Sequence, residues 1–287
     1  MTDNWSLITG PMPELPEVET IVRKLRPVLV GKSILSADLR WPRTLAAPSP
    51  AAFAKRIKGQ QILSVSRRAK FFDLRLSTLR EPQGKLFDLI IHLRMSGDLL
   101  VREGAYIPAK HDRLVLTLSD DLSLVFNDPR KFGRVWLTAD PDEVLGDLGP
   151  EPLDPSFTPQ IFYERLHIRR RQLKPLLLDQ TFIAGLGNIY TDEALHMARL
   201  HPLTLSNSVT ETQVEALWRA VREVLEEGIR SNGASIDWVY RGGEFQNRLR
   251  VYGRAGEPCP VCGTKIERLV IGQRGAHFCP ACQPFKE

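Results

Sequence analysis

Met12-Pro13-Glu14-Leu15-Pro16-Glu17-Val18-Glu19-Thr20 is the stretch that organises the reading of this 287-residue chain. One reading is local: Pro16 sits at the first position of a helix, where its missing N–H costs nothing. The other is chemical. With Pro13 as first residue, its nitrogen is a secondary amine beside the carboxylate of Glu14. An α-amino group titrates near ~7.7–8.0, so a useful fraction is neutral at cellular pH. A secondary amine attacking an aldehyde-level carbon forms an iminium ion. An internal proline nitrogen is a tertiary amide with no basic lone pair. The chemical reading therefore expects Met12 to be the true start, Met12 to be trimmed, and Met1–Pro11 to be a mis-assigned extension.

Working outward, Glu17 to Val30 has helical spacing through Val18, Ile21, Val22, Leu25, Val28 and Leu29, and Gly31 ends it. From Ser33 to about Leu137 the pattern turns to short strands. These are Ile62–Val65, Phe71–Leu76, Leu86–Leu93, Asp112–Leu118, Leu122–Phe126 and Gly133–Leu137, with loops at Pro42–Pro50 and Thr78–Lys85. Strands at this spacing imply an antiparallel sandwich. The Pro-, Gly- and Asp-rich stretch that follows reads as a linker. Beyond it, Gln160–Leu166, Lys174–Leu178, Ile189–Ala198 and Glu211–Glu227 read as helices, and Ser231–Gln246 as a Gly-rich mobile loop.

The four cysteines fall as C-x2-C-x16-C-x2-C, namely Cys259, Cys262, Cys279 and Cys282. Two chelating pairs separated by a hairpin-length segment match a four-thiolate tetrahedral zinc site; two disulfides are the alternative. Four sulfurs leave no open position for water, so the zinc is structural. Gly272-Gln273-Arg274-Gly275 then forms the basic tip of a stapled hairpin.

The net charge is +5, and from Arg230 to Glu287 nine Lys/Arg stand against five Asp/Glu. A second basic cluster runs from Arg165 to Lys174 and includes Arg169, Arg170 and Arg171. Two separated basic patches suit a phosphate backbone better than a small acidic metabolite. No apolar run is long enough for a transmembrane helix, and the first residues lack the pattern of a signal peptide, so a cytoplasmic protein is expected.

With these motifs in hand, the chain resembles the formamidopyrimidine-DNA glycosylase family, bacterial base-excision enzymes for oxidised purines. The resemblance runs from Met12 to about Gln283. It implies that Pro13 is the nucleophile and Glu14 the general acid, a role that favours a raised pKa. Lys70, in Arg67-Arg68-Ala69-Lys70-Phe71, contacts the lesion-bearing backbone and assists elimination. Arg274, in Val270-Ile271-Gly272-Gln273-Arg274-Gly275, clamps the phosphate flanking the lesion and assists δ-elimination. Ala184-Gly185-Leu186-Gly187-Asn188-Ile189-Tyr190 resembles the family's helix–two-turn–helix motif, whose helix-start N–H groups hold phosphate. Asn188 adds a side-chain donor there, and Lys174 with Arg170 or Arg171 tracks the same strand. Met95, Arg130 and Phe132 fill the stack left by an extruded nucleotide, Arg130 reads the opposing cytosine, and His111 contacts DNA.

The expected fold class is α+β. It comprises an N-terminal antiparallel β-sandwich domain with flanking helices (12–140), a linker (141–159), a helix–two-turn–helix domain (160–250) and a β-hairpin zinc finger (251–287). The expected function is excision of 8-oxoguanine and formamidopyrimidines from duplex DNA, with nicking by β,δ-elimination. One structural Zn2+, damaged double-stranded DNA as partner, no membrane, a monomer and nucleoid association complete the expectation. An endonuclease VIII-like enzyme for oxidised pyrimidines is a rival, disfavoured by Leu15 where that branch has Gly. A non-catalytic zinc-finger DNA-binding protein is another. Glu244 and Tyr240, in the expected lid, are assigned to the flipped base.

Overall fold

The computed structural model describes residues 12–78, 86–235 and 242–285. The Met1–Pro11 extension and Tyr240 lie outside the described residues. The contacts gather into two compact units. Among the described residues, the first holds Met12, Pro13 and Glu17–Asp147, and the second holds Glu14–Pro16, Leu148–Ser235 and Gly242–Phe285.

In chain order, the first unit is built from α1 (Leu15–Leu29, shared at its first turn with the second unit), β1 (Ile34–Leu39), β2 (Leu45–Ala47), α2 (Pro50–Ile57), β3 (Gln60–Arg68) and β4 (Phe71–Thr78). It continues with β5 (Phe87–His92), β6 (Asp98–Glu103), β7 (Asp112–Leu118), β8 (Leu122–Asn127), β9 (Arg134–Thr138) and α3 (Asp142–Leu145). One sheet has the order β1-β7-β8-β6 and the other β2-β9-β5-β4-β3. Alternating residues of both sheets, including Leu114, Leu116, Leu124, Leu74, Leu89 and Leu137, meet Val18, Val22, Leu25 and Leu29 of α1 in one apolar core. Burying each such side chain stabilises by roughly 1.5–3 kcal/mol. The sandwich is antiparallel except at one edge, where β2 pairs with β9 in parallel. That exception, with β1, β6 and α2, has too short or too polar a pattern to be read from periodicity. α2 is marked instead by its cap: Ser49 Oγ accepts from Ala52 N, and Pro50 opens the helix.

The second unit contains α4 (Pro159–His167), α5 (Leu173–Leu177), α6 (Asn188–Met197), α7 (Glu211–Arg230) and a hairpin of β10 (Glu267–Ile271) and β11 (Arg274–Phe278). α7 begins with a full capping box between Thr210 and Gln213. The core joins Phe162, Leu173, Leu177, Phe182, Ile189, Leu217, Val221 and Val224, together with Leu15. A smaller cluster of Val251, Cys259, Ile266 and Cys279 supports the hairpin.

The stretch expected to be a linker is not free chain. α3 occupies its beginning, with Leu145 buried. From Leu148 onward it belongs to the second unit. Gly149 N donates to Gln180 O (2.8 Å), Phe157 is buried, and Trp218 Nε1 donates to Phe157 O (2.7 Å). Composition gave no sign of this packing. No helix among the described residues is long and apolar enough to cross a membrane.

Candidate active site and zinc centre

Helix α6 has Gly187 at its N-cap, with no side chain to cap it. The missing cap comes from the other end of the sequence. Gly187 N donates to Glu14 Oε2 at 2.6 Å, and Ile189 N donates to Glu14 Oε1 at 2.9 Å. Two of the helix's otherwise unpaired donors are thereby satisfied by one buried carboxylate, in the favourable sense of the helix dipole. Leu15 N donates to Gly185 O (3.1 Å), which pins the next residue. Both glycines are required by contact. A Cβ on Gly187 would lie 2.3 Å from Glu14 Cδ, and one on Gly185 would lie 2.6 Å from Leu15 Cδ1. The Gly185–Ile189 loop was expected to offer its N–H groups to phosphate. The donors of Gly187 and Ile189 are instead committed to Glu14.

Lys174 requires a correction. It is fully buried, with Nζ donating to Asp192 Oδ1 (2.6 Å) and Asn188 O (3.0 Å). Burial holds its ammonium below the usual lysine range, opposed by Asp192. It does not offer its charge to a strand on the surface. A run of basic residues cannot reveal which member turns inward. Asp192 also accepts from His277 N (2.9 Å), and its Oδ2 lies 3.0 Å from His277 Nδ1. The adjacent Glu193 accepts from the backbone N–H groups of Arg250, Val251 and Tyr252 (2.8, 2.9 and 2.9 Å). Two successive carboxylates of α6 thus fasten β11 and the segment preceding the finger. Sequence reasoning missed both, although an Asp-Glu pair inside an apolar helix is a usable signal.

Asn188 is half-buried and hydrogen-bonds Tyr252, whose hydroxyl is pushed up to about 12 by burial. Arg274 is exposed at the start of β11. The tip itself is a two-residue turn in which Gly272 (φ +55°) and Gln273 (φ +64°) are both left-handed. Arg170 is exposed, and Arg171 is exposed but paired with Asp179 at 2.7 Å.

The four cysteine sulfurs lie within 4.8 Å of one another. Cys259–Cys282, Cys262–Cys279 and Cys262–Cys282 are 3.9, 3.4 and 3.5 Å apart. Tetrahedral zinc with Zn–S of about 2.3 Å sets sulfurs about 3.8 Å apart, whereas a disulfide requires ~2.0 Å. The donor set fits one structural zinc. Val261 N and Cys282 N donate to Cys259 Sγ (3.5 Å) and Cys279 Sγ (3.4 Å), as thiolates in a metal site require. His196 Nε2 lies 3.4 Å from Cys259 Sγ. Gln283 ties the finger to the helical body through Cys279 N (2.9 Å) and Leu200 O (2.8 Å).

In the first unit, Lys70 sits in the β3–β4 turn and is only 3% exposed. With Arg94 it helps hold the neighbouring His92 down at about 3, burial being the larger cause. Arg67 of the same motif pairs with Glu19 (3.0 Å). Met95, in the β5–β6 connection, is half-buried. Arg130 and Phe132 occupy the β8–β9 connection, with the guanidinium 4.7 Å from the ring centroid and Phe132 45% exposed. An aromatic this exposed is no core residue. His111 precedes β7, its Nδ1 3.3 Å from Arg113. Glu244 is exposed, and its N donates to Ser231 O (2.8 Å).

Three family models match in succession. They are the formamidopyrimidine-DNA glycosylase N-terminal domain (residues 12–135), the formamidopyrimidine-DNA glycosylase H2TH domain (148–239), and the zinc finger found in FPG and IleRS (256–284). The formamidopyrimidine-DNA glycosylase of Chloroflexus aurantiacus is 48% identical over 279 residues, covering 95% of this chain and 98% of that protein. That of Protochlamydia amoebophila is 43% identical, over 95% of this chain and 99% of the other. Among solved structures, the Lactococcus lactis enzyme bound non-covalently to DNA containing an AP site superposes with a TM-score of 0.86. It is 37% identical and covers 95% of this chain and 100% of its own. With three successive domains and nearly full-length relatives in agreement, the chain belongs to the formamidopyrimidine-DNA glycosylase family.

Proposed function

We propose that this protein is a DNA glycosylase that excises oxidised purines from duplex DNA and then nicks the strand as an AP lyase. The observation that carries the chemistry is the seat of Glu14, whose two oxygens are fixed by Gly187 N and Ile189 N next to Pro13 in the chain. A group so held is pre-positioned for proton transfer, which contributes typically ~10²–10⁴-fold.

Glu14, seated on these two donors, acts as a proton relay. It takes one proton from the Pro13 ammonium and passes it to the ring oxygen O4′ as the C1′–O4′ bond opens. The freed lone pair forms the N–C1′ bond, the base departs from C1′ with the second N–H proton, and the iminium remains. β- and δ-eliminations then release the sugar. Lys70 and Arg274 assist these later steps, and Arg274 clamps a flanking phosphate. Met95, Arg130 and Phe132 occupy the emptied stack, while His111, Arg170, Arg171 and Asn188 hold the backbone. The zinc, when bound, supplies no reactive oxygen; its four thiolates keep the hairpin rigid.

The mechanism requires a free Pro13 nitrogen, hence a chain that begins there. Borohydride should trap the protein covalently on 8-oxoguanine duplex, and the intact mass of the active species should begin at Pro13. An active, trappable species that retains Met1 would rule out the proline mechanism. We take the protein to act as a monomer on the bacterial nucleoid, consistent with relatives that are bacterial enzymes.

A further inference from the structure

Asp128 lies in the motif Asp128-Pro129-Arg130-Lys131-Phe132-Gly133, has no exposed surface, and takes no part in the chemistry above. All its polar atoms are engaged. Oδ1 accepts from Ser96 Oγ, and Oδ2 accepts from Gly133 N (2.7 Å). Its carbonyl accepts from Arg113 Nε (2.7 Å), and its N–H donates to His111 O (2.9 Å). Ser96 Oγ in turn accepts from Arg130 N (3.3 Å).

These bonds join the two connections that carry Met95 and the Arg130–Phe132 pair. Both connections contain a non-glycine residue in the left-handed region: Arg94 (φ +55°), immediately before Met95, and Lys131 (φ +62°), between Arg130 and Phe132. Such residues persist only where the surroundings over-determine them. The packing does so as well. A Cβ on Gly97 would lie 2.8 Å from Phe126 Cε2, and one on Gly133 would lie 2.2 Å from Phe126 Cζ. The two loops therefore close on the same ring from neighbouring positions.

We propose that Asp128, acting with Ser96, is a positioning residue that holds the Met95 loop and the Arg130–Phe132 loop as one rigid piece, and so sets selectivity for the base opposite the lesion. This rests on the proposed glycosylase reading, in which Arg130 faces that base. Selectivity for a hydrogen-bonded partner depends on the reader being fixed; a guanidinium free to swing meets either partner with similar energy. The tie acts on Arg130 through its backbone, so its loss blurs discrimination without removing the reading group.

The test is single-turnover excision of 8-oxoguanine opposite cytosine and opposite adenine, for the protein whose first residue is Pro13 and for its Ser96→Ala and Asp128→Asn variants. Trapping on a preformed abasic site is measured alongside. Ser96→Ala removes two bonds, the one donated to Asp128 Oδ1 and the one accepted from Arg130 N; even one hydrogen bond of about 1–1.4 kcal/mol corresponds to a five- to tenfold fall in the cytosine-to-adenine ratio. Abasic-site trapping should stay within twofold of the parent. Asp128→Asn should lower the ratio at least as far; if it does not fold, Ser96→Ala decides alone. A ratio unchanged in Ser96→Ala, or an equal loss on both duplexes and on the abasic site, would overturn the proposal. A parent protein that neither cuts nor traps would instead overturn the glycosylase reading itself.

Discussion

Gly187→Ala is the sharpest perturbation of the proposed site. Gly187 has φ −130° and ψ −158°, an extended conformation open to any residue, so the substitution introduces no backbone strain. What it introduces is a carbon 2.3 Å from Glu14 Cδ, 2.5 Å from Oε1 and 2.6 Å from Cγ. The carboxyl group must leave its seat, and its bonds from Gly187 N and Ile189 N go with it. A hydrogen bond to a charged group contributes roughly 1.5–3 kcal/mol, so losing both costs up to about 3–6 kcal/mol, less whatever water restores. A proton-transfer group out of place lowers the single-turnover rate of base release by about 10²–10⁴-fold. Duplex binding, which draws on the phosphate contacts, should be nearly unchanged. The assays are single-turnover excision of 8-oxoguanine, borohydride trapping, and duplex affinity by anisotropy. Glu14→Gln should give the same pattern without the steric term. A Gly187→Ala protein that releases base within threefold of the parent rate would refute the assignment of Glu14.

Four further outcomes are expected. Asp192→Asn leaves Lys174 buried without its partner and should cost about 3–5 kcal/mol in urea unfolding, partly recovered by adding Lys174→Met; a cost below 1 kcal/mol would contradict the buried pair. Asp73 is pushed up to about 6 by burial and by the Asp88 carboxylate, so its stabilising contribution is complete below about pH 4 and lost as pH rises through 6. Asp73→Asn should therefore match the parent in Tm at pH 4 and exceed it at pH 8; an equal difference at both would refute this. Chelation should release one zinc per chain, expose four reactive thiols and weaken duplex binding, and undiminished binding would count against the finger's role. Gly185→Ala, at φ +103° and against Leu15, should lower Tm, but less than Gly187→Ala, which displaces a buried carboxylate from two hydrogen bonds; the reverse order would refute that ranking.

Much of the molecule is legible in one dimension because its signals are local. The α1 and α7 stripes, the β7–β8 alternation and the paired C-x2-C units each declare an element within a few residues. β2 pairs with a strand far along the chain, and its three residues carry no period of their own. The Arg165–Lys174 run shows the converse: its cations look alike in sequence, yet Lys174 turns inward to Asp192 while Arg170 stays exposed. Which way a cation faces is settled by a carboxylate 18 residues away, beyond the reach of local pattern.

The sequence by itself determined the metal chemistry, the helix that follows Pro13, and the motifs carrying the family's reactive groups, because each is written in adjacent residues. Only the tertiary structure decided that Glu14 would cap a helix 173 residues away through Gly187, and that Asp128 and Ser96 would tie two loops together. The physical reason is that a buried carboxylate must find its donors wherever the fold brings them, and no spacing along the chain encodes that meeting.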